Sequence, residues 1–199
     1  SISADITRTA NAAQESALGD VIADAQLAYT QSAGAQIAFM NPGGIRTDLT
    51  FANSPGGEAP GQVTYGEAFA VQPFNNLVTT QTFTGAQIKD VLEQQRFPVV
   101  STSPLILQVS AGFTYSYDAT LAANSRVSNM TLNGVPIDPA ATYRVTTNDF
   151  LANGGDGFTT LTLGTNRVYA PGFDVDALAA HLNPGPVPPG PQDRITRLG

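Results

Sequence analysis

Cysteine is absent from the 199 residues and histidine occurs once. The first absence excludes a disulfide scaffold, a thiolate zinc site and a cysteine nucleophile. The second excludes a His-rich dinuclear metal centre built from this chain alone, because His181 cannot supply the ligand set by itself. Basic residues are scarce: nine Lys and Arg, eight of them Arg, stand against sixteen Asp and Glu, for a net charge of -7. Such a molecule repels polyanions, so neither a nucleic-acid groove nor an anionic membrane surface is a natural partner, and any anionic ligand must be held locally by a few arginines. No apolar run reaches the roughly 18 residues of a membrane span, and no signal-peptide pattern opens at Ser1, so the chain reads as soluble. Neither a Gly-x-Ser-x-Gly elbow nor a Walker loop is present, which leaves nucleophilic and P-loop mechanisms without support.

What is present suffices for one sizeable core: 42% of residues are apolar, and no low-complexity block or repeat divides the chain. Leu18, Val21, Ile22, Ala25 and Tyr29 recur at helical spacing, with Asp20 and Asp24 expected on the opposite, solvent side and Gly34 as a stop. A short buried strand over 37–40 runs into Asn-Pro-Gly-Gly-Ile-Arg at 41–46, and the Gly- and Pro-rich stretch 47–62 reads as a surface loop. Thr64 with Glu67 and Thr84 with Gln87 match capping boxes, each opening a helix that Pro73 and Pro98 close. Strands are expected at 77–83, 106–109, 113–117 and 143–147, and Asn133-Gly134 predicts a tight primed turn between 127–132 and 135–137. Asp174 is expected to cap a helix running through Leu182, followed by an extended Pro-rich segment over 184–191 and an edge strand over 194–198. Helices and strands interleave irregularly, which gives the fold class α+β: a single mixed layered α/β domain with antiparallel hairpins.

One stretch concentrates special backbone and chemical handles. Residues 148–158 read Asn-Asp-Phe-Leu-Ala-Asn-Gly-Gly-Asp-Gly-Phe, so that glycines permit a sharp turn around Asp156 while Phe150 and Phe158 flank it. Spacing alone favours a tight loop with two core aromatics, since the alternating acidic ligands of a calcium loop are missing.

Several motifs in order alter that balance. Together with Glu-Ser-Ala-Leu-Gly-Asp at 15–20, the 41–46 turn and Gln-Pro-Phe-Asn-Asn at 72–76, the 148–158 stretch resembles the signature of the C-terminal, substrate-binding domain of the 5′-nucleotidase, UDP-sugar hydrolase and 2′,3′-cyclic phosphodiesterase family. The likeness extends over about residues 5–197. It implies that Phe74 and Phe150, each an ordinary core residue when taken singly, stack on the two faces of a nucleobase. It further implies that Arg46 and Arg8 contact the substrate's phosphate, that Asn41 hydrogen-bonds the ligand, and that Asn76 reads a base edge. Asp156 would meet the ribose hydroxyls, and the backbone of 110–112 would touch the base, while Phe158 stays in the core. Some members carry a further arginine where this chain has Ala12. The plainer reading of Arg46 is a surface ion pair with Asp48, and that of His181 a helix-terminal side chain.

The same resemblance implies a nucleoside phosphate or nucleotide-sugar substrate and an extracellular, cell-surface or periplasmic location. It also implies an N-terminal metallophosphatase domain, absent from residues 1–199, which holds two divalent metal ions and performs the hydrolysis. This chain itself is expected to carry no cofactor and to bind without turnover. A stand-alone nucleotide-binding module and a surface adhesion domain that kept only the fold remain as other readings.

Overall fold

The computed structural model describes residues 1–53 and 55–199; residue 54, inside the expected 47–62 loop, lies outside the described residues. Among the described residues two mixed sheets and five α-helices make up an α+β domain, as the interleaved periodicities predict. The five-stranded sheet has the order β3 (Gln108–Val109), β1 (Ile37–Met40), β7 (Thr142–Asn148), β2 (Leu77–Thr84), β8 (Thr165–Phe173). The four-stranded sheet runs β6 (Val135–Pro136), β5 (Val127–Leu132), β4 (Phe113–Tyr117), β9 (Ile195–Arg197).

Strand β1 is buried along its whole length and serves two cores, as a period-two element must. Ile37 and Phe39 join a cluster with Phe83, Phe97, Phe113 and Tyr117, whereas Met40 packs with Leu18, Ile22, Val175 and Leu178. Helix α1 (Ala17–Tyr29) covers that second core together with α5 (Asp174–His181) and α2 (Tyr65–Val71). Ser16 caps α1 by accepting the Gly19 N–H, and the two capping boxes form at Thr64–Glu67, ahead of α2, and Thr84–Gln87, ahead of α3 (Gly85–Glu93). Asn133 and Gly134 take φ of 51° and 77°, the left-handed pair that a primed hairpin turn requires.

Two expectations need correction, and one strand was not foreseen. Asp20 does not face solvent: it is fully buried, because the segment after residue 190 crosses that face of α1. There Gln192 N–H donates to Asp20 at 2.9 Å, Arg194 and Ile195 N–H donate to Glu15 at 3.0 and 3.2 Å, and the Arg194 guanidinium grips Asp24 through two bonds of 2.8 Å. The 15–20 motif is therefore a clasp that holds the C-terminal strand. Asp174 is the first residue of α5 rather than its cap; Phe173 occupies the cap, and its N–H donates to Asp176 at 2.8 Å. Finally, 165–173 forms β8, an exposed edge strand that tolerates Pro171 only because an edge can spare a donor.

Candidate functional site

Strand register gathers the candidate residues at one edge of the larger sheet. Strands β1 and β7 run parallel with Ala38 against Thr146, so Asn41 and Asn148 emerge side by side at their C-terminal ends. Strand β2 runs antiparallel to β7 with Val78 opposite Asn148, which brings its first residues, and Phe74 and Asn76 just before them, to the same edge. On the other side of β2, Leu77 faces Phe173, so Asp174 arrives there as well. Crevices outside the carboxyl ends of neighbouring parallel strands are common ligand sites.

Asn41, Gly43, Gly44, Phe74, Asn76, Phe150 and Asp156 line a single cavity of about 300 Å³ at this edge. Phe74 is 52% and Phe150 45% exposed, whereas Phe158 is fully buried. Half-exposed rings at a cavity wall leave a π-face free; a fully packed ring does not. A larger hollow of about 440 Å³ near Ser1, Glu58 and Pro184 has one ring, Tyr65, and no guanidinium in its lining.

Local chemistry fixes each wall. The 148–158 stretch contains a one-turn helix, α4 (Asp149–Ala152), capped by Asn148, whose side chain accepts the Leu151 N–H at 2.9 Å. This turn sets Phe150 on the cavity side. Gly155 is required behind it, because a Cβ there would lie 2.6 Å from the Phe150 ring. Asp156 sits at φ 58° between the left-handed Gly154 and Gly157, a strained position that aspartate tolerates better than most residues. A buried amide chain then holds its carboxylate: Asn148 Nδ2 donates to Asn41 Oδ1 and Asn41 Nδ2 donates to Asp156 Oδ2, each at 3.0 Å. Asn75 takes φ 52°, and Phe74 and Asn76 on either side of it both line the cavity.

Arg46 stands at the rim. Its guanidinium lies 5.9 Å from the Phe74 ring centroid and donates to the Gly43 carbonyl at 3.2 Å. The alternative ion pair to Asp48 does not form, since Asp48 accepts the Arg8 N–H at 2.8 Å and Arg194–Asp24 is the only ion pair among the described residues. Arg8 itself is not in the wall of the Phe cavity. It lies across the 42–44 turn, donating to the Ile45 carbonyl at 3.3 Å and lining a separate hollow with Thr9, Ser16 and Asp48.

The 110–112 segment does not reach the cavity. Strand β3 is antiparallel to β1 with Met40 opposite Gln108, so the chain beyond Val109 runs back beside Ala38, away from Asn41. Some of its polar groups are already used: Ser110 Oγ accepts the Ala38 N–H, and the Ala111 N–H donates to Asp24. His181 ends α5 beside Tyr29 and Ala177, remote from the rings, and burial lowers its pKa. Among the described residues no three His, Cys, Asp or Glu side chains converge as metal ligands, so the residues present do not fit a dinuclear centre. Nor is any helix among them long and apolar enough to cross a membrane.

Sequence reading missed Asn148 and Asp174 as supports of the site. The Asn preceding a short helical turn was a readable cap signal; the Asp174 contact, 98 positions from Asn76, was not.

Residues 1–163 match the model of the 5′-nucleotidase C-terminal domain family. The chain belongs to that family. It is 40% identical over 150 residues to the cell wall protein Lmo0130 of Listeria monocytogenes and 37% identical over 155 residues to the trifunctional nucleotide phosphoesterase protein YfkN of Bacillus subtilis. These stretches cover 73% and 75% of this chain but only 18% and 10% of those proteins. Among solved structures, the 5′-nucleotidase precursor of Thermus thermophilus superposes with a TM-score of 0.81 at 33% identity, over 98% of this chain and 38% of that one. The chain thus spans well under half the length of these relatives.

Proposed function

We propose that this 5′-nucleotidase C-terminal domain is the substrate-binding part of an exported 5′-nucleotidase-type phosphoric monoester hydrolase. One observation carries the reading: Phe74 and Phe150, far apart in sequence, line one cavity of about 300 Å³ with Arg46 at its rim and Asp156 in its wall. That volume lies at the small end of ligand pockets, the size class of a single nucleotide.

In this reading the two rings sandwich a nucleobase, each face contributing roughly 1–3 kcal/mol, as in proteins that bind single strands by stacking. Asn76 reads the base edge. Asp156, with one carboxylate oxygen engaged by Asn41, offers the other to the ribose hydroxyls. Arg46, which bonds bidentately and keeps its charge, takes the phosphate, with Arg8 supporting from across the 42–44 turn. Hydrolysis itself belongs to a metallophosphatase domain outside these residues, whose two divalent metals would activate water. The limited share of each relative that this chain covers supports such a division, and the cell-wall relative supports export to the surface or periplasm.

Calorimetric titration of residues 1–199 with AMP, UMP and UDP-glucose tests the proposal. Saturable binding at one site is expected, without phosphate release when AMP and Mn²⁺ or Mg²⁺ are incubated with the domain. Absence of binding to any of them would overturn it, and turnover at an enzymatic rate would overturn the division of labour.

A further inference from the structure

Asn76 lines the cavity with its side-chain nitrogen already held by a neighbour and its oxygen without a partner among the described residues. Its Nδ2 donates to Asp174 Oδ2 at 3.0 Å, and its backbone carbonyl accepts the Asp174 N–H at 2.8 Å. Asp174 is 1% exposed, and its second oxygen, Oδ1, accepts the Val175 N–H at 2.9 Å. A carboxylate is an acceptor only. With one oxygen committed to Val175 and the other facing Asn76, it forces the Asn76 amide to turn its NH₂ inward, which leaves Oδ1 as the atom offered to the cavity. Among the described residues no donor meets that oxygen.

We infer that Asp174 is a positioning residue that sets the base preference of the site: by fixing the Asn76 amide with its carbonyl toward the cavity, it selects nucleotides whose base carries an amino group at that edge, the adenine and cytosine class. This deepens the proposed function and rests on it. A base with no donor there leaves the carbonyl unpaired in a partly dry site, which sites built around one hydrogen bond penalise strongly. Burial raises the Asp174 carboxyl to about 6, still ionised and therefore still accepting at pH 7.5. Sequence alone does not reveal this choice, since an Asn can present either end.

The test compares AMP with purine riboside 5′-monophosphate, which has the same ring, ribose and phosphate but lacks the amino group, by calorimetry at pH 7.5. The parent domain should bind AMP roughly tenfold more tightly. In Asp174→Asn the side-chain oxygen stays with the Val175 N–H and an NH₂ faces Asn76, so Asn76 flips and the preference should vanish or invert. Asp174→Ser, which keeps a hydroxyl for Val175 and no longer reaches Asn76, should likewise bring the ratio to about one should the first variant fail to fold. A parent ratio within twofold, or a tenfold ratio kept in both variants, overturns the inference while nucleotide binding itself stands. Loss of all nucleotide binding in the parent would instead overturn the proposed function, and this inference with it.

Discussion

Removing one ring of the pair should cost the ligand a stacked face while costing the fold less than removing a core ring does. Phe150 is 45% exposed in the free domain, so Phe150→Ala vacates a cavity wall and not a filled core position. A fully buried Phe loses about 3–5 kcal/mol on truncation, and a half-buried one about half of that, which for a domain of this size lowers Tm by roughly 4–8 °C. Losing one stacked face should weaken nucleotide binding by roughly 1–3 kcal/mol, or about 5- to 150-fold in Kd. Phe158→Ala reverses the pattern: the ring is fully buried, so the fold should lose the full 3–5 kcal/mol or about that, with no direct effect on a bound base. Gly155→Ala adds a subtler probe. Its Cβ would sit 2.6 Å from Phe150 Cε1 and Cζ and from the Phe150 carbonyl oxygen, so the ring and the turn that carries it must both shift while the apolar area stays the same. A weaker complex in that variant shows that the placement of the ring, and not only its apolar area, matters to binding. Calorimetry with AMP supplies the affinities and thermal unfolding supplies Tm. Should Phe150→Ala and Phe74→Ala both bind within twofold of the parent while remaining folded, the cavity is not a base-stacking site.

Two further outcomes follow from the clasp at the C-terminal strand. Burial, reinforced by the Glu15 charge, pushes the Asp20 carboxyl up to about 8, and burial raises Asp174 to about 6, both above the ordinary 3.8. A carboxyl held above its unfolded value favours the folded state while protonated, so stability should be lost as pH climbs through 6 and then 8. Tm is thus expected to fall by several degrees between pH 5.5 and pH 8.5, and Asp20→Asn should flatten that slope; a Tm that rises over the interval contradicts the buried-proton account. Arg194→Met breaks the paired bonds to Asp24 and removes the cation whose charge Asp20 and Glu15 also feel, at a cost of about 2–4 kcal/mol. A Tm within 2 °C or so of the parent would show the clasp to be dispensable.

Sequence reading succeeded where the deciding physics is local. The capping boxes at Thr64 and Thr84, the Asn133-Gly134 turn and the apolar stripe of α1 each depend on residues within a few positions of one another. It failed where a distant segment decides. Asp20 sits on what looks like the polar face of α1, yet a segment 172 positions later covers it; Pro171 and Gly172 disguise β8, whose edge position permits them. The candidate site is intermediate. Spacing alone makes Phe74 and Phe150 core residues; the family signature singles them out, and only strand register explains how they come to line one cavity.

That register also makes the site's geometry sensitive to the sheet. Asn41, Asn148, Asn76 and Asp174 meet because two parallel strands end where two antiparallel ones begin or end, with Val78 opposite Asn148 and Leu77 opposite Phe173. Slipping β2 by one residue would turn every side chain on it to the other face and carry Asn76 away from Asp174. The buried Thr80–Thr146 and Thr146–Thr30 hydroxyl bonds, at 2.8 and 2.7 Å, oppose such a slip, because each would be left unpaired in the interior. Those threonines touch no ligand in the proposed complex, yet they tie α1, β7 and β2 into the one alignment that brings both rings to the lining of one cavity.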